Sequence, residues 1–182
     1  MTEIQRTIIL VSLIGTVLST YEEDELSEST RELKNTCIRF SNKQSGVEMV
    51  LVRGKFGRRG LAPEVTNQKR HDQYIETMKI GNAIWQKALD KYGKGSIHFD
   101  AVTYVHAIYS FAPDLLHKHA RISKEKIDAY MAGWIDGKQS SRNNGAWIGG
   151  YLTELLAAEM GMKINGRLRA LKQKVEMERG VA

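Results

Sequence analysis

The chain has 182 residues, of which 42% are hydrophobic and 26% charged, a composition typical of one soluble globular domain with or without a small second lobe. It contains two prolines and one cysteine, Cys37, which excludes an internal disulfide framework and any site built from several cysteines. A single cysteine is also typical of a reducing compartment, so we expect a cytoplasmic protein. The formal net charge of +6 points to polyanionic partners.

The most apolar run of the chain spans residues 7–19 and predicts a buried helix. Its apolar residues recur at helical spacing around most of the circumference, although its β-branched content leaves a strand as the alternative. A run of about 13 residues is too short for a bilayer, which takes about 20. Glu3 offsets Arg6 ahead of it, so the positive segment of a signal peptide is missing. We therefore expect a core helix and no membrane partner.

A capping box at Ser29 and Glu32 predicts a second helix that runs to about Phe40 and buries Leu33 and Cys37. Helical periodicity then predicts helices over residues 67–92, from Ser96 or Asp100 as far as Pro113, over residues 123–137 and 146–160, and after Gly161. Between them we expect a short turn over residues 114–119 and a polar linker over residues 138–145. The predicted fold class is mainly α: a multi-helix bundle with at most a short β element near residues 47–60.

Residues 47–52 (VEMVLV) are the convincing strand candidate of the chain. Three glycines and one proline follow within residues 53–64, which excludes a regular helix there and indicates a mobile loop or a hairpin tip. The predicted organisation is an N-terminal helical lobe with a short strand over residues 1–52, a basic glycine-rich loop over residues 53–66, and a helical bundle over residues 67–182 that ends in a basic helix pair.

Residues 152–172 partly match a helix-turn-helix, with Ala157 at the close crossing and Gly161 in the turn. Arg167 falls where this motif has an apolar residue, and a turn longer by one residue would place Leu168 there instead. The second helix would display donors for phosphates and guanine edges: Lys163, Asn165, Arg167, Arg169 and Lys172. The alternative is two antiparallel core helices joined at a glycine cap, with late basic residues that complement the helix dipole.

Positive charge is concentrated in two segments of the chain. Residues 53–70 carry six basic residues and one acidic residue, a net +5, and residues 163–182 carry six and two, a net +4. The rest of the chain is therefore about −3, and such concentration is what phosphate binding requires. Phe56 lies among four of these cations, where it could stack on an exposed base: Arg53, Lys55, Arg58 and Arg59. The alternative is an exposed loop with solubilising charge.

Catalytic chemistry has little support in the sequence. A metal-assisted hydrolase would use His98, Asp100, His117 and His119, but residues two apart in a helix point in different directions and do not chelate together. Cys37 falls among predicted core residues, and no serine lies in a nucleophile-elbow motif. We therefore predict no catalytic residue, no metal and no cofactor.

We predict a nucleic-acid-binding protein, as a small DNA-binding regulator or a DNA-organising accessory factor. The predicted binding residues are Arg53, Lys55, Arg58, Arg59, Lys163, Asn165, Arg167, Arg169 and Lys172. The alternative is a structural or adaptor protein that acts through protein contacts, with the heptad-like stripe Ile164, Leu168, Leu171 and Val175 as an interface. A homo-oligomer is expected in either case. Helix-turn-helix proteins commonly read two half-sites through two-fold symmetry, and an adaptor would use its apolar surfaces as oligomer interfaces.

Overall fold

The computed structural model of the chain describes residues 1–92, 101–137 and 153–162. These residues are mainly helical with one small two-stranded antiparallel sheet, so the predicted fold class is confirmed. The helices are α1 (Glu3–Leu18), α2 (Glu28–Ser45), α3 (Gln68–Tyr92), α4 (Ala101–Phe111), α5 (Pro113–Ala120), α6 (Lys124–Gly137) and the described part of α7 (153–160). The strands are β1 (Val47–Arg53) and β2 (Arg59–Val65).

Helix α1 lies at the centre of the core, as its apolar circumference predicts. Ile9, Leu10 and Ile14 are fully buried, and the helix packs against α2, α3, α4 and α5. Full burial of one such side chain contributes about 1.5–3 kcal/mol. The helical form is secured at its start by a capping box, in which Thr2 and Gln5 each satisfy the other's backbone N–H.

Helix α2 packs beside α1 and buries Leu33, Cys37 and Phe40, as predicted. Burial raises the pKa of the Cys37 thiol to about 12, so this cysteine is an inert core residue in the folded chain. The predicted start of the helix is wrong, since Ser27 rather than Ser29 is the N-cap and accepts a hydrogen bond from the Thr30 N–H at 3.3 Å.

The physical reason lies in the residue before the cap. Leu26 is buried at the end of a short 3-10 turn over Glu23–Glu25, so the chain turns into the helix directly after it. Helix α2 also continues past Phe40 to Ser45, and Gly46 ends it with a left-handed φ of 68°.

Pro113 starts a helix instead of only ending one. Helix α4 stops at Phe111, and Pro113 is the first residue of α5, so the turn expected over residues 114–119 is helical. A proline is favoured at the first helical position because its missing N–H would have no intrahelical partner there.

The later described elements follow the sequence more closely. Ser123 caps α6, as predicted, and accepts a hydrogen bond from the Lys126 N–H at 3.3 Å. In α7, Leu156, Ala157 and Met160 are buried, and Gly161 ends the helix with a φ of 62°. The expected linker over residues 138–145 and the second helix of the helix-turn-helix lie outside the described residues.

The segment 53–66, expected as a mobile loop or a hairpin tip, is the far part of a hairpin, and residues 59–65 of it form β2. β1 and β2 pair antiparallel without interruption from Val47 opposite Val65 to Arg53 opposite Arg59. Gly60 and Pro63 obscured β2 in the sequence, because both residues are poor strand formers. A two-stranded hairpin tolerates them, since each of its strands has one edge without a ladder.

The hairpin grows out of the junction between α2 and α3. The backbone N–H groups of Thr66 and Asn67 both donate to the Gly46 carbonyl, at 3.0 and 3.2 Å. His71 Nδ1 lies 3.0 Å from the Ser45 carbonyl oxygen and ties the first turn of α3 to the end of α2. No helix among the described residues is both long enough and apolar enough to cross a membrane.

We predict that Gly46→Ala lowers the free energy of unfolding by about 2 kcal/mol or more. A Cβ at this residue would lie 2.7 Å from the Asn67 carbonyl oxygen, and the residue has a positive φ as well. Urea denaturation measures the loss.

The matched control is Gly57→Ala, because Gly57 has a φ of 73° but no heavy atom within 4 Å of the added Cβ. It should cost only the conformational part, about 1 kcal/mol. Equal losses in the two variants would contradict a steric requirement for glycine at residue 46.

Candidate nucleic-acid interface

The hairpin of residues 47–65, here called the arm, is exposed along most of its length. In its two strands only Val47, Val50 and Ala62 are half-buried, and the other residues are exposed. Seven paired residues at about 3.3 Å each make a ribbon of roughly 20 Å. The arm therefore presents its far end, residues 53–59, well away from its anchor at Gly46.

Three cations whose side chains are described converge at this end, here called the tip. Arg53 and Arg59 are direct cross-strand partners, and Arg58 precedes Arg59 in the chain. Like charges directly opposite each other destabilise a hairpin, so this pair costs folding energy unless an anion lies nearby. No carboxylate of the described residues forms an ion pair with any of the three.

Phe56 occupies the turn of the tip and is 98% exposed. Its φ of 73° and ψ of 21° are left-handed, and Gly57 follows with a φ of 73°. Glycine and asparagine are the residues that usually adopt this conformation in turns, because a bulky side chain costs about 1 kcal/mol there. Phe56 therefore opposes the turn conformation and gains no burial in return.

The turn nevertheless has a defined backbone. The Gly54 N–H donates to the Arg58 carbonyl at 2.8 Å, and the Gly57 N–H donates to the Gly54 carbonyl at 3.3 Å. These bonds close the turn that carries Phe56 at the end of the ribbon.

Apolar side chains continue along the arm behind the tip. Leu51 and Leu61 are direct cross-strand partners with 64% and 66% exposure, and Met49 on the same face is 59% exposed. Because side chains alternate between the two faces of a ribbon, Arg53 and Arg59 share this face as well. The arm thus carries an exposed apolar face, here called the stem face, that leads to the basic tip.

The nine predicted binding residues divide into two groups. Arg53, Lys55, Arg58 and Arg59 lie within the tip, in the segment for which the sequence predicts a mobile loop or a hairpin tip. The other five lie outside the described residues, and their role stays a prediction: Lys163, Asn165, Arg167, Arg169 and Lys172.

Of the histidines that entered the metal hypothesis, His119 has another partner. His119 Nε2 lies 3.3 Å from Glu3 Oε2, and Lys118 Nζ lies 2.7 Å from the same oxygen. The hydrogen bond from Lys118 is the main cause of the lowered pKa of Glu3. Within the described ranges, no three His, Cys, Asp or Glu side chains are grouped to hold a metal ion, and His98 and Asp100 fall outside those ranges.

Comparison with models of protein families, with characterised proteins and with solved structures gives no significant match.

Proposed function

We propose that this protein binds nucleic acid, and specifically DNA, through the tip of the arm. The observation that carries the proposal is Phe56, an almost fully exposed aromatic ring in an unfavourable backbone conformation. It lies at the end of a ribbon whose last cross-strand pair is two arginines. Phe56 is strained in its turn and gains no burial from the fold, and a ligand with an aromatic face would explain why the ring is there.

The dimensions of the arm suit this ligand. A two-stranded ribbon fits the major groove of B-DNA, and ribbons also bind in the minor groove. Proteins that kink DNA insert apolar side chains, phenylalanine among them, between base steps. On an unpaired strand, the same ring would stack on a base.

The cations of the tip would supply the phosphate contacts. Arg53, Arg58 and Arg59 are exposed and have no described counter-ion, so phosphate oxygens would relieve the repulsion between the paired arginines. Such contacts position a duplex without reading its sequence, which agrees with a DNA-organising factor. Sequence readout, as in a regulator, is proposed for the predicted second helix with Arg167 and Arg169.

We predict that Phe56→Asn separates stability from binding. Asparagine tolerates the left-handed conformation, so the free energy of unfolding should be unchanged or higher by up to about 1 kcal/mol. The affinity for a single strand or a duplex should fall by roughly fivefold to a hundredfold, which corresponds to about 1–3 kcal/mol of lost stacking. Fluorescence anisotropy across a salt series measures the affinity, and its salt slope should stay unchanged because no charge is removed.

Two further variants make this experiment decisive. Arg58→Ala should weaken binding on all sequences alike and reduce the salt slope by about one. Ile80→Gln removes a 40% exposed apolar side chain from α3 and is expected to bind as the unmodified chain does. Full affinity in Phe56→Asn, or absence of DNA binding by the unmodified chain at low salt, would reject the proposal.

We also propose a second function, self-association through the stem face. Leu51 and Leu61 are each about two-thirds exposed and directly paired, and Met49 extends the same apolar surface. Contiguous exposed apolar surface commonly marks a protein interface, and an isolated hairpin is only marginally stable in water. A second copy of the chain would cover the apolar surface of both arms, in agreement with the predicted homo-oligomer.

The double variant Leu51→Thr, Leu61→Thr tests this second function. Threonine keeps the strand propensity while it removes most of the apolar area, so the hairpin should persist and the oligomer should dissociate. Light scattering coupled to gel filtration measures the mass. A monomeric unmodified chain at every accessible concentration, or an unchanged oligomer in the double variant, would show that the stem face does not hold two copies together.

A further inference from the structure

A cleft of about 400 Å³ lies between α2 and the corner that joins α5 to α6. Its volume falls within the range of small-ligand sites. Phe40 and Ala120 supply a buried apolar part of its wall, and polar and charged side chains supply the rest. The cleft involves no residue of the arm.

Four cations line this cleft from two sides. Arg39 and Lys43 are four residues apart and so lie on one face of α2, while Arg121 and Lys126 line it from the α5–α6 corner. None of the four forms an ion pair with a carboxylate in the part of the chain that the structure describes. Arg39 is oriented by a hydrogen bond from its Nη2 to Thr36 Oγ1 at 3.0 Å.

Glu32 is the acidic residue among the described lining side chains, and it is the lining residue nearest the start of α2. It precedes Arg39 by seven residues, about 10 Å along the helix axis. Its carboxylate is close to Tyr130, whose pKa is raised first by burial and further by Glu32. Arg39 and Lys43 therefore line the cleft two helical turns or more away from Glu32.

Arg121 provides an independent observation. It follows the last residue of α5 in the left-handed conformation, with a φ of 58°. Its N–H donates to the His117 carbonyl at 3.1 Å, and the Ile122 N–H donates to the Leu116 carbonyl at 3.2 Å. Glycine or asparagine usually occupies this position, because other side chains are strained there. Arginine therefore costs stability at this residue, and the same residue lines the cleft.

We propose that this cleft binds a ligand with several phosphate groups. The four basic residues that line this site outweigh the negative charge of the single carboxylate, Glu32. The planar guanidinium groups of the two arginines match the spacing of phosphate oxygens. The phosphates belong either to a free small polyphosphate compound or to the backbone of a nucleic acid. The proposal does not depend on the arm, so Phe56→Asn is expected to leave phosphate binding in the cleft unchanged.

The test uses inorganic tripolyphosphate as the probe and calorimetry at low salt as the measurement. Arg121→Gly should reduce the affinity about tenfold, the size of one charge-assisted contact. The same variant should have an equal or higher midpoint of thermal unfolding, because glycine relieves the left-handed strain. The double variant Arg39→Gln, Lys43→Gln should weaken binding further.

The matched control is Lys69→Gln, Lys79→Gln, which removes the same net charge from α3. If the control weakens tripolyphosphate binding as much as Arg39→Gln, Lys43→Gln does, binding follows net charge and the site is rejected. Absence of binding by the unmodified chain rejects it too.

A duplex competitor distinguishes the two sources of phosphate. Displacement of tripolyphosphate by DNA, together with weaker DNA binding in the cleft variants, would assign the cleft to the nucleic-acid backbone. Cleft-dependent binding that DNA leaves unchanged would assign it to a free small polyphosphate. Both results support a phosphate site, and they are read separately from the effect of Phe56→Asn.

Discussion

The arrangement of the candidate interface depends on the close contact at Gly46. One carbonyl at this residue accepts the N–H groups of Thr66 and Asn67, so both ends of the arm are fixed at a single point. The φ is left-handed, and the Asn67 carbonyl oxygen lies 2.7 Å from where a Cβ would stand, so glycine is the residue that fits without displacement. The arm leaves the helices where α2 ends and α3 begins, and its direction follows from this contact.

The stability of the fold comes from elsewhere. Helix α1 is buried among four other helices, and most of the described apolar core lies in helices. The arm contributes little to that core, since its larger side chains are exposed. The stability of the core therefore places little constraint on the residues of the arm, and Phe56, Arg53 and Arg59 are accommodated although they are unfavourable for an isolated hairpin.

Much of the fold could be predicted because burial leaves a periodic pattern. The apolar circumference of α1 and the stripe of α2 predicted which side chains are buried. Local ambiguity defeated the finer predictions: Ser27 and Ser29 both precede a helical stripe, and a proline can end one helix while it starts the next. β2 was hidden because Gly60 and Pro63 resemble loop residues, although a strand with a free edge accepts both.

The positive charge of the candidate site could be predicted from the sequence, but its three-dimensional arrangement could not. The cluster from Arg53 to Arg59 is visible in the sequence, whereas the exposure and backbone conformation of Phe56 depend on how the hairpin closes. The cleft was invisible, since Arg39 and Lys126 are distant in sequence and meet only when α2 packs near the α5–α6 corner. The left-handed backbone conformation of Arg121 likewise could not be predicted from composition or periodicity.

The most direct test of the central claim replaces Phe56 with a photoreactive benzoylphenylalanine and irradiates the protein with a labelled DNA strand. The same substitution at Ile80, on α3, serves as the reference. We expect strong cross-linking from position 56, little from position 80, and loss of the cross-link at high salt as the phosphate contacts are screened. Equal or absent cross-linking at the two positions would contradict a DNA interface at the tip of the arm.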